Sequence, residues 1–160
     1  MAYVIGCDIG SQSAKAVLIS ADGEIVGTAS HAYPMHHPAS GWAEQDPADY
    51  RTGMANAVRA VVSEAGISPG DVTHIGLSSQ VDGVVPIDAR NRPLRSAIIW
   101  LDRRATDQVE RLGEAVGADR LFELTGLNLD ASHTAPKLMW LAENDPEVYA
   151  AAAQLPSVGG

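Results

Sequence analysis

The chain has 160 residues, a formal net charge of −9, 46% apolar and 19% charged residues, and one cysteine. An acidic chain with this apolar fraction is a folded domain with a real core, and its charge excludes nonspecific binding to nucleic acid or to anionic membrane. No apolar run approaches the roughly 20 residues of a membrane span, no secretory leader pattern opens the chain, and the lone Cys7 forms no internal disulfide, so a cytoplasmic setting is expected.

The first third reads as a β-meander. Residues 3–7 and 16–19 are short apolar runs that suit pleated strands. Asp22-Gly23 is a hairpin signal, and a third strand runs from Ile25 to about Tyr33. Residues 34–45 have loop composition, including the adjacent His36 and His37. Adjacent histidines seldom share one ion, so that stretch reads as loop.

A helix follows, with Asp46 at its N-cap, Pro47 at its first position and Gly66 at its end. Tyr50, Met54, Ala57, Val58, Val61, Val62 and Ala65 fall on one face at helical spacing. Residues 72–77 read as a buried strand, residues 84–87 as a further strand with Pro86 at an edge or bulge, and residues 97–100 as another buried strand. A helix carries Ala105, Val109, Leu112 and Val116 in line. Short helices then follow: one capped by Asp119, one over residues 135–142, and one starting at Asp145-Pro146. Asp22, Asp71 and Asp88 read as turn residues. Glu44 and Asp46 are expected to pair with Arg51, and Trp42-Ala43-Glu44-Gln45 to pack the helix start against the sheet. Arg90, Arg92, Arg95, Arg103 and Arg104 read as a solvated face with ion pairs.

The order β-β-β-α-β-α with small C-terminal helices, and with a mixed sheet, is the plan of a ribonuclease H-like α/β domain. In that plan the first hairpin points its turn at the active cleft. Here it is Asp8-Ile9-Gly10-Ser11-Gln12-Ser13-Ala14-Lys15. Gly10 lets the backbone approach a ligand, the hydroxyls and amides suit phosphate oxygens, and Asp8 suits a hard cation. Taken alone, the stretch reads first as an ordinary polar turn, and the rest of the chain has to decide.

Four more stretches accompany it in order. They are Gly41-Trp42-Ala43-Glu44-Gln45-Asp46-Pro47; Gly76-Leu77-Ser78-Ser79-Gln80-Val81-Asp82-Gly83; Ala97-Ile98-Ile99-Trp100-Leu101-Asp102-Arg103-Arg104; and Thr134-Ala135-Pro136-Lys137-Leu138-Met139-Trp140-Leu141 followed by Asp145-Pro146-Glu147. Together the five resemble the FGGY family of carbohydrate kinases, most closely its xylulokinase-like members, over residues 3–149.

The resemblance implies a fold of the sugar kinase, heat-shock protein and actin type. Residues 1–160 would form an incomplete N-terminal domain, as a domain piece or a truncated product, with the nucleotide-binding second domain in later sequence. It implies an ATP-dependent kinase that phosphorylates a small ketose or polyol, with ATP and Mg²⁺ as cofactors. Asp8 matches the aspartate that binds Mg²⁺ through water. Ser11, Gln12 and Ser13 match the phosphate-binding turn, and Lys15 a basic position in the second strand. Gln12 departs from the usual Ser or Thr.

Gln80, Val81 and Asp82 match the turn that touches the sugar, and Asp102 a position that contacts sugar hydroxyls. Trp100 is either an apolar wall for the sugar or a core tryptophan. Val81-Asp82 stands where xylulokinases carry Met-His, which leaves the sugar open between xylulose, another ketose and a polyol. His133 and Lys137 are further candidates for the sugar side. A metal-shell aspartate is a poor base, so Asp8 is not the catalytic base, and the resemblance assigns that base to later sequence. The isolated chain is then expected to be inactive. The alternative is a non-catalytic sugar- or partner-binding module, which as a free half-fold would bury its exposed apolar surface in a homodimer.

Overall fold

The computed structural model describes residues 2–158. In chain order its elements are β1 (Tyr3–Ile9), β2 (Ser13–Ser20), β3 (Ile25–Ala32), β4 (Glu44–Gln45), α1 (Pro47–Glu64), β5 (Val72–Ser79), β6 (Ala97–Ile98), α2 (Thr106–Val116), α3 (Ala118–Thr125), α4 (Thr134–Asn144) and α5 (Pro146–Ala151). They fall into two compact units. One holds the residues up to Met35 with Pro47–Gln80, the other His36–Asp46 with Val81–Val158.

The first unit is a four-stranded mixed sheet in the order β3-β2-β1-β5. β1, β2 and β3 are antiparallel neighbours, and the second hairpin closes at Gly23, whose φ of +85° suits glycine. β5 arrives through α1 and lies parallel to β1. The sheet has two unlike faces because side chains alternate along a strand. Ile5, Ala16 and Leu18 point to one face, where Ala57, Val61 and Val62 of α1 bury them. Burying one such Ile or Leu side chain stabilises the unit by about 1.5–3 kcal/mol. The opposite face carries Asp8, Lys15 and Ser78 side by side in register.

Residues 72–77 do form a strand, but not the buried one expected. Ile75 and Leu77 are 51% and 64% exposed. They point to the same side as Ile5 and Cys7, yet β5 is the end strand of the sheet, and α1 packs on β1, β2 and β3. An apolar run fixes the strand, whereas its burial depends on what lies over it.

The second unit is built on short pieces. β4 and β6 pair antiparallel over two residues each. Residues 84–87 form no strand. Val84 and Ile87 make isolated bridges to Ile98, Pro93 and Gln154, while Val84, Val85 and Pro86 are buried. Pro86 has no N–H for a ladder, and only its carbonyl is used, by Leu94 N at 2.9 Å. The buried strand expected over residues 97–100 shortens to Ala97–Ile98, with Ile99 still buried and Trp100 in a turn. α2 packs on α4 and α3, and α4 on α5. Asp119 lies in the first turn of α3 rather than at its cap, which is Gly117.

Candidate active site

The β1–β2 turn is tight. Gly10 N donates to Ser13 O at 3.1 Å, and a Cβ on Gly10 would come within 3.3 Å of that same carbonyl. Tyr33 reaches across from the end of β3. Its hydroxyl donates to Gly10 O, and its amide donates to Gln12 O at 3.2 Å. Burial, then the nearby Asp8, Cys7 and Asp49, push the Tyr33 phenol up to about 12, so it remains a protonated donor at neutral pH. Gln12 and Lys15 are exposed, while Ser11 and Ser13 are half-buried.

The ends of the parallel pair β1 and β5 meet this turn. Ser78 Oγ donates to Asp8 Oδ1 at 2.7 Å, Gln80 N donates to Ile9 O at 2.8 Å, and Ser11 Oγ donates to Gln80 Oε1 at 3.4 Å. Gln80 Nε2 in turn donates to the Tyr50 hydroxyl at 3.4 Å. Two side-chain pairs, Asp8–Ser78 and Ser11–Gln80, thus flank the Gln80–Ile9 backbone bond, although about 70 residues separate the two segments.

Asp8 is exposed with one carboxylate oxygen held by Ser78, and no group of three or more His, Cys, Asp or Glu side chains gathers at one point among the described residues. A single carboxylate beside hydroxyl donors fits a Mg²⁺ held through its water shell rather than a cage of protein ligands.

Beyond Gln80 the residues expected at the sugar divide. Val81 is 67% exposed. Asp82 adopts φ +57°, uncommon for a residue with a Cβ and a form of strain that tends to sit at functional positions. Two contacts hold it there. His133 Nδ1 lies 3.0 Å from Asp82 Oδ2, and Lys137 Nζ donates to Asp82 O at 3.0 Å. Facing a carboxylate, His133 Nδ1 carries the hydrogen and donates. Lys137 is fully buried and also donates to Ser132 O. Burial outweighs the nearby Asp102, Asp82 and Asp130 and lowers its ammonium to about 8. Beside Asp82 and His133 opens a pocket of about 170 Å³ walled by Leu112, Leu121, Leu127 and Leu129.

Trp100 is 41% exposed, which removes the core-tryptophan reading. Asp102 is different. It is 0% exposed, with Ala43 N donating to Oδ2 at 2.6 Å and Arg104 N and Nε to Oδ1 at 2.9 Å each. In this arrangement it presents no surface to a sugar hydroxyl. It joins the loop around Ala43 to the start of α2.

The arginines correct another expectation. Arg104 is buried, not solvated. It bridges Asp102 and Glu44 and lies over the rings of Trp42 and Trp140. Arg95 joins Glu44 to Asp145. Glu44 therefore pairs with Arg95 and Arg104 rather than Arg51, and Trp42 packs on Arg104 and Trp140. The signal available in sequence was the repeated Trp and Arg on separate segments, but only folding stacks them.

Sequence reasoning gave Ser78 and Tyr33 no role. Ser78 sits opposite Asp8 only because of the β1–β5 register, and no local pattern reveals it.

The same fold occurs in solved sugar kinases. A xylulose kinase from Rhodospirillum rubrum superposes with a TM-score of 0.90 at 28% identity, over 98% of this chain and 32% of its own. The family model for the N-terminal domain of the FGGY family of carbohydrate kinases matches residues 3–158, and the chain belongs to that family. Among curated relatives, the xylulose kinase of Bacillus subtilis (strain 168) is 34% identical, covering 93% of this chain and 30% of the relative. The glycerol kinase of Paracidovorax citrulli (strain AAC00-1) is 37% identical, covering 95% and 30%. The chain thus corresponds to the N-terminal part of such kinases and spans about 30% of the length of these relatives.

Proposed function

We propose that this chain supplies the phosphate-facing turn and the sugar-recognition turn of an ATP-dependent kinase acting on a hydroxyl of a small ketose or polyol. The observation that carries the reading is the group formed by Asp8, Ser11, Ser78 and Gln80 where β1 and β5 end. Phosphoryl transfer asks the protein for positioned donors and cations more than for covalent chemistry. Ser11, Gln12 and Ser13 offer donors to phosphate oxygens, and Lys15 offers a cation on the same sheet face as Asp8. Asp8 would hold Mg²⁺ through water, and that ion supplies charge neutralisation at the phosphates when bound.

Gln80, Val81 and Asp82 offer the sugar an amide, an apolar contact and an acceptor, and Trp100 offers an apolar face. Asp102 acts by positioning Arg104 and the loop at Ala43. The adenosine site and the base that deprotonates the acceptor hydroxyl are assigned to sequence beyond residue 160. The buried free thiol of Cys7 supports a cytoplasmic setting, and no helix among the described residues is long and apolar enough to cross a membrane. The test is ATP consumption by the full-length gene product against a panel of pentuloses, pentitols and glycerol. Turnover with one of them and none by the 160-residue chain alone is the expected result; sugar-dependent turnover by the short chain overturns the assignment of base and nucleotide site.

One observation favours a second reading, an association module. Ile75 and Leu77 leave an apolar strip on an end strand, and a second copy would cover it. Sedimentation of the isolated chain tests this: a concentration-dependent dimer supports it, and a monomer at high concentration excludes it.

A further inference from the structure

We propose that Tyr33 is a positioning residue for phosphoryl transfer: it ties back two backbone carbonyls of the β1–β2 turn, so that the turn offers donors rather than acceptors to the phosphate. The inference rests on the kinase reading above and adds a residue to its phosphate side.

A turn that receives an anion must keep its carbonyl oxygens away from it, because their lone pairs repel phosphate oxygens. Along residues 9–13 the carbonyls of Ile9, Gly10, Gln12 and Ser13 each have an internal donor. Gln80 N donates to Ile9 O at 2.8 Å, and Gly10 N to Ser13 O at 3.1 Å. Gly10 O and Gln12 O both go to Tyr33, the first to its hydroxyl and the second to its amide at 3.2 Å. Any residue but proline supplies the amide; only the tyrosine side chain supplies the hydroxyl.

Register puts Tyr33 there. Ala32, the last residue of β3, stands opposite Ser13, so the next residue lies beside the turn. The ring is then held on two sides. Gly53 of α1 leaves space that a Cβ would fill 2.8 Å from the ring, and Tyr50 meets the ring edge-on at a centroid distance of 5.6 Å. Tyr50 is itself buried, and its hydroxyl accepts from Gln80 Nε2 at 3.4 Å. The Tyr33 hydroxyl therefore reaches Gly10 O with little freedom, and the turn is shaped before a phosphate arrives. Phenylalanine would satisfy this packing; the carbonyl of Gly10 requires the donor.

The test is Tyr33→Phe in the full-length kinase, which keeps the ring and removes the donor. Calorimetric titration with the panel sugar or polyol that the wild type phosphorylates counts competent sites and gives its Kd. Steady-state kinetics with Mg²⁺ and ATP then gives kcat per competent site. The proposal expects the stoichiometry and Kd to hold while kcat per site falls about ten- to a hundredfold. A merely structural role gives fewer competent sites, each turning over at the wild-type rate. A fall below about threefold per site, or a loss of acceptor affinity as large as the loss in kcat, overturns the proposal and leaves the kinase reading standing. If Tyr33→Phe gives no competent protein, Gly53→Ala replaces it, since its Cβ pushes the ring while the hydroxyl stays. A rate per site down by more than about threefold then supports the proposal, and a smaller change overturns it. A wild type that phosphorylates nothing in the panel removes the kinase reading and this inference together.

Discussion

The guanidinium carbon of Arg104 lies 3.7 Å from the centre of the Trp42 ring and 4.8 Å from that of Trp140, which stands on α4. Three segments distant in sequence thus meet on one buried cation. Its Nη1 has no hydrogen-bond partner among the described residues, and the faces of the two indoles compensate for it. Asp102 and Glu44 neutralise the charge.

Removing Asp102 leaves Ala43 N and Arg104 N and Nε without their buried acceptor, with Glu44 alone facing the guanidinium. Asp102→Ala should therefore cost about 3–5 kcal/mol of stability. Arg104→Lys should fare little better, because an ammonium cannot reproduce the fork on Asp102 or stack on Trp42. Urea unfolding followed by tryptophan fluorescence measures both, and a loss below 1 kcal/mol for Asp102→Ala would refute the role given to it.

Lys137 makes stability depend on pH in a defined direction. Its ammonium titrates near 8 in the folded chain and at 10.5 when unfolded. Between these values the unfolded state binds more protons, so stability rises with pH from about 8 to about 10.5, by on the order of 3 kcal/mol from this group. Below pH 8 the penalty of burying the charge is fully present. Lys137→Met should flatten that part of the profile. An unchanged slope in the variant, from unfolding curves across pH 7.5–10.5, would show that another group is responsible.

Gly53 tests the support of the β1–β2 turn. It lies within α1, where alanine would normally gain about 1 kcal/mol. Here a Cβ would sit 2.8 and 3.0 Å from the Tyr33 ring. That ring cannot swing aside freely, since its hydroxyl holds Gly10 O and its edge meets Tyr50 at a centroid distance of 5.6 Å. Overpacking costs about 1–3 kcal/mol, so Gly53→Ala should be neutral to destabilising despite its helix propensity. A clear rise in melting temperature would contradict the packing described.

Asp8 and Asp82 should separate two functions in the full-length protein. Asp8→Ala should lower kcat by about 100-fold or more, with little change in sugar affinity, because it acts where charge develops on the phosphates. Asp82→Ala should weaken sugar binding far more than ATP binding. Steady-state kinetics with each substrate varied in turn distinguishes them, and equal losses for sugar and ATP in Asp82→Ala would remove residues 80–82 from the sugar site.

The sequence by itself determined the order of elements in the first unit, the core face of α1 and the polar turn at residues 8–15. Each of these is written in local periodicity or turn chemistry, which neighbouring residues specify on their own. Five ordered stretches also carried the family resemblance.

Tertiary structure decided the rest. The β1–β5 register set Ser78 beside Asp8. The second unit, whose strands are only two residues each, brought His133 and Lys137 to Asp82 and turned Arg95 and Arg104 into a paired, stacked network. It also closed Asp102 away from solvent, and within the first unit Ile75 and Leu77 stayed exposed on the end strand. The physical reason is the same throughout: burial and pairing across 50 or more residues depend on which surfaces meet, and a linear pattern does not encode that.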